Sequence, residues 1–291
     1  MERPRLILTV VAVAAIASAS AMARIGTVRA PVIAPPDIAV PRPPGATLEV
    51  TYIANEGVLI AAGDKQVLID GLHRQYRSSY PFLPEPYREQ IETAQPPFND
   101  IDVILVSHMH LDHFHPESVA RHLRHNTGAR LVSSEQVVGE VRKLADYATI
   151  SSRVTTMTPR LKQRVGTAVG GVAVELLGLG HGSGRHATVQ NLGHIVTLGG
   201  RKLLHVGDAS TEDASIFEPL NLDEVDIDVA FLPVWFLTSD EGAAIVRHHI
   251  KPKHIVAVHM PADAPQRAIT DIKERFPDAV PFTVLLEKKF Y

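Results

Sequence analysis

The fold is decided by the stretch Ser107-His108-Met109-His110-Leu111-Asp112-His113, which places three histidines and an aspartate within six residues. An apolar run, residues 101–106, precedes it; the run is long enough for a buried strand and too short for a helix. A chain that leaves a sheet can direct alternate side chains into one pocket, where neutral imidazoles and a carboxylate suit zinc or a similar divalent ion. Isolated surface or core histidines are the ordinary alternative, but this density favours a metal-dependent enzyme.

The residues after the histidine motif predict a helix. Proline is common in the first turn of a helix, and the segment 116–123 begins with Pro116. His115 stands immediately before it and is expected either to meet substrate or to be a solvated residue at the helix start. Strand, ligand loop and helix therefore follow one another in order.

The composition is that of a globular protein. The chain has 291 residues, of which 45% are hydrophobic and 21% charged, and this length can bury a large core. Its net charge of −3 argues against a surface for nucleic acid or another polyanion. It contains no cysteine, which excludes disulfides, Cys-ligated zinc and thiol catalysis. Any metal must be held by histidines and carboxylates.

The N-terminal residues resemble a secretory signal peptide. Arg3 and Arg5 precede an apolar run, residues 6–17, and Ala21-Met22-Ala23 matches a small-x-small cleavage site. We expect residues 1–23 to be removed after Ala23 and the protein to be periplasmic or secreted. An uncleaved anchor is the alternative, although the run is short for a bilayer that needs about 20 residues, and no later segment could span a membrane.

A proline-rich stretch, residues 24–46, separates this signal from the folded part of the chain. Its six prolines exclude regular helix and interior strand, so it is expected to be an extended arm or linker. The folded domain is expected to occupy residues 47–291.

Patterns along the rest of the chain predict an α/β fold with two sheets. Three short strands open it at 48–54, 58–62 and 66–69. Residues 72–98 show little periodicity and are expected to form a lid, a binding loop or packed surface decoration. Further strands are predicted at 129–132, 153–158, 163–168, 172–177, 193–198, 202–206, 228–232, 255–258 and 282–286, with helices at 135–144, 239–250 and 265–275.

Three later polar residues each follow an apolar run and are candidate ligands. His181 lies between glycines that let the backbone approach a ligand closely, and it is favoured over His186 and His194. Asp208 follows residues 203–207 and could instead be an ordinary turn aspartate. His259 ends the run 255–258 and is favoured over His254, which precedes that strand.

In this order, the motifs resemble the metallo-β-lactamase superfamily. Its signatures are an Asp after an early strand, H-x-H-x-D-H, a later His, an Asp in a Gly-Asp context and a final strand-terminal His. Asp70, the motif at 108–113, His181, Asp208 and His259 match them, and the resemblance covers residues 47–291. It implies a four-layer αββα sandwich of two mixed sheets flanked by helices.

The resemblance also implies a two-metal site with two Zn²⁺, or Mn²⁺ or Fe²⁺ in their place. Asp208 would bridge the ions and act in catalysis with Asp112, while Asp70 would accept a hydrogen bond from a ligand imidazole. A bridging hydroxide would attack an ester, lactone, phosphodiester or amide bond of a small-molecule substrate. The first ion would be bound by His108, His110 and His181, and the second by Asp112, His113 and His259.

Substrate contacts are expected from aromatic and imidazole side chains near these ligands. Trp235 and Phe236 lie in a predicted loop between a strand and a helix, and they could form an apolar wall or belong to the core. His115 and His186 are the other candidates. His205, inside a strand, is expected to be a core residue or to support a ligand.

The chain contains no cysteine and has Asp208, and these two features indicate which branch of the superfamily it resembles. True metallo-β-lactamases have a Cys at the second metal or lack the bridging Asp, so this chain looks closer to lactonases, phosphodiesterases and amidases. Ascorbate-6-phosphate lactonases and N-acylphosphatidylethanolamine phospholipases belong to that group. Two alternatives stay open: a mononuclear iron oxidoreductase of the persulfide dioxygenase type, and a non-catalytic metal-binding protein. The oligomeric state is not indicated.

Overall fold

The computed structural model describes residues 47–263 and 265–291. The first of its two seven-stranded sheets contains the early strands and, at its edge, the last strand of the chain. In spatial order it consists of β14 (Lys288–Phe290), β1 (Glu49–Ala54), β2 (Gly57–Ala62), β3 (Lys65–Ile69), β4 (Val103–Val106), β5 (Arg130–Ser133) and β6 (Val154–Thr156). Neighbouring strands are antiparallel from β14 to β3 and parallel from β3 to β6, so the sheet is mixed.

The second sheet is also mixed and contains the remaining strands. In chain order, its first four strands are antiparallel neighbours and its last four are parallel neighbours, with the fourth strand belonging to both sets. In spatial order it consists of β13 (Val280–Pro281), β12 (His254–Val258), β11 (Val229–Pro233), β10 (Arg201–His205), β9 (Gln190–Leu198), β8 (Val172–Gly180) and β7 (Arg164–Val169).

Helices cover the outer face of each sheet. The first sheet is covered by α1 (Tyr87–Glu92), α2 (Pro116–His125) and α3 (Glu135–Arg142). The second is covered by α4 (Val234–Thr238), α5 (Asp240–Ile245), which continues into a π-helical turn at Val246–Ile250, and α6 (Pro265–Arg275). Single 3₁₀ turns lie at Tyr147–Thr149, Ser151–Arg153, Gly184–His186, Ala214–Ile216, Glu218–Leu220 and Leu222–Glu224. The expected four-layer αββα sandwich is confirmed.

The continuous apolar run before the histidine motif is explained by burial on both faces of β4. Val103 and Leu105 point into the core between the two sheets, whereas Ile104 and Val106 point into the core beneath the helices. A strand between two apolar layers needs hydrophobic residues at every position. Each such side chain contributes about 1.5–3 kcal/mol through burial.

The strand directions bring the ends of five strands to one edge of the sandwich. β3 and β4 are parallel, and so are β10 and β12 through β11. β8 is antiparallel to β9, which is antiparallel to β10, so β8 runs in the same direction as β10. The residues directly after these five strands therefore converge at that edge, which is where the candidate ligands lie.

The strand predicted near the C-terminus is wrong. No strand forms at 282–286: Phe282 instead packs against Tyr52 in the core, with ring centroids 5.0 Å apart, and the terminal strands are β13 and β14. Residues 72–98, expected to form a lid, a binding loop or packed surface decoration, include the short helix α1 within otherwise irregular chain. The predicted signal peptide and proline-rich arm lie outside the described residues, within which no helix is long and apolar enough to cross a membrane.

Candidate metal centre

The histidine motif leaves β4 through Ser107, which is anchored on Asp70 at the end of β3. The Ser107 amide donates to Asp70 Oδ1 over 2.7 Å, and the Ser107 hydroxyl donates to Oδ2 over 2.5 Å. Asp70 has a positive φ of 47°, a conformation that costs energy in a non-glycine residue and persists where surrounding contacts fix it. The anchor sets the direction in which the following histidines project.

Three imidazole nitrogens converge in the first ligand group. His108 Nε2 lies 3.0 Å from His110 Nδ1, and His181 Nε2 lies 3.1 Å from the same atom. His110 Nδ1 cannot satisfy both neighbours by donating one proton. The three nitrogens are instead spaced close to the separation expected of tetrahedral ligands about 2.0–2.1 Å from one zinc ion. Their geometry therefore fits a shared cation.

The second ligand group joins the motif to the end of β12. Asp112 Oδ2 lies 3.6 Å from His113 Nε2 and 3.5 Å from His259 Nε2. His259 has a φ of 53°, and its amide donates to the Asn55 carbonyl over 3.0 Å, which fixes the strained turn. The Asn55 side chain in turn donates to the Asp112 carbonyl over 3.1 Å.

Asp208 lies between the two groups and faces each with a different oxygen. Its Oδ2 is 3.4 Å from His181 Nε2 and 3.7 Å from His108 Nε2. Its Oδ1 is 3.2 Å from His113 Nε2 and 3.6 Å from His259 Nε2. Oδ1 and His113 Nε2 are both buried without a hydrogen-bond partner among the described residues. A cation on each side would satisfy them, so the donor set fits two metal ions.

The turn before Asp208 leaves no room for a side chain at Gly207. A Cβ there would lie 2.5 Å from Asn191 Oδ1 and 2.7 Å from Ser107 Cβ, and φ is +55°. Asn191 Oδ1 accepts the Asp208 amide over 3.0 Å, and its side-chain amide donates to the Val206 carbonyl. This packing ties Asp208 to the start of the histidine motif.

At most positions in the cluster, burial and the neighbouring charges favour the protonation state that a metal ligand needs, which is a neutral imidazole or an ionised carboxylate. Burial lowers the pKa values of His108, His110 and His181, which keeps these imidazoles neutral. Burial raises the pKa of Asp208, but the imidazoles of His113 and His259 outweigh it and hold that pKa well below its ordinary value. Burial lowers the pKa of His113, but Asp208 and Asp70 outweigh it and raise that pKa well above its ordinary value, so a metal must displace its proton.

Asp70 supports this cluster from below. Its Oδ2 lies 2.9 Å from His113 Nδ1, where it accepts the ring proton and leaves Nε2 free to face Asp112 and Asp208. The structure therefore gives Asp70 the place expected from sequence. All seven expected ligands lie in two groups of potential ligands, one with His108, His110, His181 and Asp208 and one with Asp112, His113 and His259.

Comparison with known families agrees with this geometry. The family described as the beta-lactamase superfamily domain matches residues 66–276, most of the chain. The chain belongs to the beta-lactamase superfamily. A UPF0173 metal-dependent hydrolase from Pyrococcus furiosus is 27% identical over 218 residues, which cover 73% of this chain and 84% of that protein. The expected family is confirmed.

Solved structures of the beta-lactamase superfamily fold show the same architecture. Igni18, described as a novel metallo hydrolase from Ignicoccus hospitalis, has a TM-score of 0.58 at 14% identity, covering 84% of this chain and 98% of its own. CmlA, a diiron beta-hydroxylase from Streptomyces venezuelae, has a TM-score of 0.54 at 15% identity; the match covers 86% of this chain and 55% of CmlA. One fold thus carries different chemistries, and function must be argued from the site.

Glu56, in the turn between β1 and β2, is a buried carboxylate that the sequence pattern did not reveal. Its Oε2 lies 3.6 Å from His205 Nε2 and 4.0 Å from His113 Nδ1, and neither of its oxygens has a hydrogen-bond partner among the described residues. Burial, and then the charge of Asp208, raise its pKa well above the ordinary value. The Asn-Glu-Gly sequence indicated only a turn, and nothing local showed that this turn lies beneath the ligands.

Aromatic rings border the ligand cluster of this superfamily member. His186 stacks on His181 with centroids 4.6 Å apart, and the Trp235 ring lies edge-on to His259 at 5.1 Å. Tyr80, from the segment expected to form a lid or surface decoration, lies 5.3 Å from the His259 ring. Tyr80 was not predicted, because its place depends on how residues 72–98 fold back over the site.

Phe236 takes the core place that was one of its two expected positions, and a substrate contact of His115 stays a prediction. Phe236 is fully buried in α4, where it packs edge-on against Phe217 in the core, so it cannot form a wall of the cleft. His115 is half-buried before α2, and the charged groups that act on its pKa after burial are Arg74 and Glu92 rather than the ligand carboxylates.

The competing histidines lie outside the two ligand groups. His194 is fully buried within β9, and His254 is exposed at the start of β12. His205 is buried in β10, as expected, and contacts the Glu56 carbonyl. His122, on α2, is also buried, and its Nδ1 donates to the Ile91 carbonyl.

Proposed function

We propose that this protein is an exported dinuclear metal-dependent hydrolase. The observation that carries the proposal is the position of Asp208, whose two oxygens face two separate groups of ligand atoms. A site built for one ion would need neither the second group nor a carboxylate shared between them. The enzyme class agrees with the superfamily and with the name of the Pyrococcus furiosus relative.

The donor atoms suggest which ions would be held. His108, His110 and His181 offer three nitrogens, a set that suits zinc, while Asp112 and Asp208 add oxygens around His113 and His259. The second group is therefore harder and would also accept Mn²⁺ or Fe²⁺. Bound divalent ions would supply an activated water and would stabilise negative charge on the attacked carbonyl or phosphoryl group.

The chain's own residues would orient the reaction. Burial raises the pKa of Asp112, but His259 and His113 outweigh it, so this carboxylate is held ionised like Asp208. Both carboxylates can accept a proton from the attacking water. Hydrolysis then places the hydroxyl on the acyl or phosphoryl group, and the proton leaves with the alcohol or amine.

We propose a small molecule with an ester, lactone, phosphodiester or amide bond as substrate. The rings of Tyr80, His186 and Trp235 border the cleft and can contact an organic group beside the scissile bond. The net charge of −3 offers no attraction to a polyanion. The complete second ligand group argues against a mononuclear iron oxidoreductase.

Export to the periplasm or beyond the cell is proposed from the N-terminal sequence alone. Fractionation of cells that produce the full chain, followed by N-terminal sequencing, tests it. A mature chain beginning at Arg24 supports export. Intact residues 1–23 on a cytoplasmic protein would overturn it.

The hydrolase proposal is tested by metal analysis and a substrate panel. The purified mature chain is assayed with ester, lactone, phosphodiester, amide and β-lactam substrates after loading with Zn²⁺, Mn²⁺ or Fe²⁺. His110→Ala and Asp208→Ala should lower any genuine activity by a factor on the order of 10³. His248→Ala, on an exposed position of the π-helical turn, is the control. Activity that survives both ligand substitutions would refute the site, as would one iron per chain with no hydrolysis.

A further inference from the structure

A cavity of about 700 Å³ lies beside the ligand His181. Gly180 and Gly182, which flank His181, contribute to its wall, and so does Ser210, two residues after Asp208. Asn191, which holds the Asp208 amide, lines it too. The cavity therefore adjoins the segments that carry two of the candidate ligands.

Two apolar side chains converge where β8 ends. A Cβ placed on Gly180 would lie 3.4 Å from Ile216 Cδ1 and 3.7 Å from Leu161 Cδ1, so the missing side chain leaves the space between them open. Leu161 is 54% exposed, unusual for a large aliphatic residue in the described part of the chain. Leu161 and Ile216 both line the cavity, and an apolar wall in a cavity beside a candidate metal centre is typical of a ligand site.

Four of the polar side chains that line the cavity are already bonded within the protein. The Thr158 hydroxyl accepts the Glu135 amide, and Asp213 accepts the Ser215 amide. The Gln190 side chain accepts the Gln136 amide, and Asn191 bonds Val206 and Asp208. A ligand would displace these bonds at a cost, whereas the aliphatic surface is free to be covered.

We propose that this cavity binds an aliphatic acyl or alkyl chain of the substrate, with the scissile bond held at the adjacent ligand cluster. This assignment rests on the proposed hydrolase function and narrows its substrates to esters, lactones or amides with an apolar chain. Leu161 and Ile216 are the side chains that would determine chain-length preference.

The test uses the metal-loaded mature chain and a series of para-nitrophenyl esters from acetate to decanoate. kcat/KM should rise about two- to fourfold per methylene until the cavity is filled. Leu161→Asp places a charge at the cavity and should reduce the decanoate-to-acetate ratio of kcat/KM at least about tenfold. Val165→Asp makes the same change at an exposed residue of β7 outside the cavity, and its ratio should match the wild type.

Binding of 1-octanol, measured by calorimetry, separates this proposal from the hydrolase proposal. If no ester is cleaved but octanol binds the wild type and Val165→Asp and not Leu161→Asp, the hydrolase proposal fails for esters and the cavity assignment stands. Equal octanol binding by all three proteins, or no binding to any, would overturn the assignment. A flat ester series in an active enzyme would overturn it as well.

Discussion

Glu92 in α1 and Glu56 in the turn between β1 and β2 are both buried, but their carboxyl groups have very different surroundings. Glu92 ends α1 at 2% exposure and accepts hydrogen bonds from Arg74, Ser118 and Arg121. Glu56 is fully buried beneath the ligand cluster, and both its oxygens lack a hydrogen-bond partner among the described residues. A carboxylate whose hydrogen bonds are all made supports the fold, whereas a buried carboxyl group without hydrogen-bond partners beside a ligand cluster indicates a functional site.

The same contrast extends to the neighbours of each carboxylate. Around Glu92, two arginines balance the acidic charge, and they lower its pKa to about 2 against the opposing effect of burial. Around Glu56, the carboxylates Asp70, Asp112 and Asp208 add to the negative charge. We infer that the site is assembled at some expense of stability and that metal ions would relieve it.

The largest stability effect is expected at Glu92. Glu92→Ala removes four hydrogen bonds, three from the two arginines and one from the Ser118 hydroxyl. It should destabilise the protein by about 2–3 kcal/mol, because both arginines retain some access to water. Glu89→Ala is the matched control: Glu89 also pairs with Arg121 but is 46% exposed, so its loss should destabilise the protein much less. Urea unfolding measures both, and equal losses would contradict the contrast.

A smaller effect, on metal affinity, is expected when the hydrogen bond that holds the His113 ring is removed. Asp70→Asn removes the acceptor that fixes the His113 ring and should weaken metal affinity about 10- to 100-fold. Asp102→Asn changes a carboxylate that pairs with Lys65 away from the ligands and serves as the control. Competition with a chelating dye measures the affinity; unchanged affinity in Asp70→Asn would show that the hydrogen bond does not act on the metal site.

The Glu92 network also predicts a pH dependence. Because its pKa is lower in the folded protein than the ordinary value of 4.5, the carboxylate stabilises the fold above that pH. This stabilisation should be lost as pH falls from about 4.5 toward about 2. Melting temperatures across that range should fall more steeply for the wild type than for Glu92→Gln, and parallel curves would be evidence against the ion network.

The smallest and most diagnostic change is Glu56→Gln. It keeps the size of the side chain but removes an ionisable group whose pKa burial raises well above its ordinary value, so at neutral pH the metal-free protein should become more stable by up to about 1 kcal/mol. Glu92→Gln is the matched control and should destabilise. Urea unfolding of both metal-free variants checks the signs, and a destabilised Glu56→Gln would mean that this carboxylate is satisfied after all.

The sequence predicted those parts of the site that follow apolar strands. His181, Asp208 and His259 each follow a buried strand or a short turn after it, and strand direction brings such residues together. Glu56 and Tyr80 could not be predicted this way, because they come from a turn and from a segment of weak periodicity. Their position is set by tertiary packing alone.

The strand wrongly predicted at 282–286 and the open choice between cleft wall and core for Phe236 have a common cause. The run 282–286 and the pair Trp235-Phe236 are both apolar, and apolar character does not show which neighbour a side chain will meet. In the structure, Phe282 packs against Tyr52 in the core, and Phe236 packs against Phe217. Ligand residues were easier to place, because a polar residue directly after a buried strand lies at the sheet edge where binding sites form.

Anomalous diffraction from crystals of the zinc-loaded protein shows directly whether Asp208 bridges two metal ions. Two zinc peaks are expected, one beside Asp208 Oδ2 among His108, His110 and His181, and one beside Oδ1 among Asp112, His113 and His259. A single peak at full zinc loading, with the second group of ligands empty, would contradict the bridge.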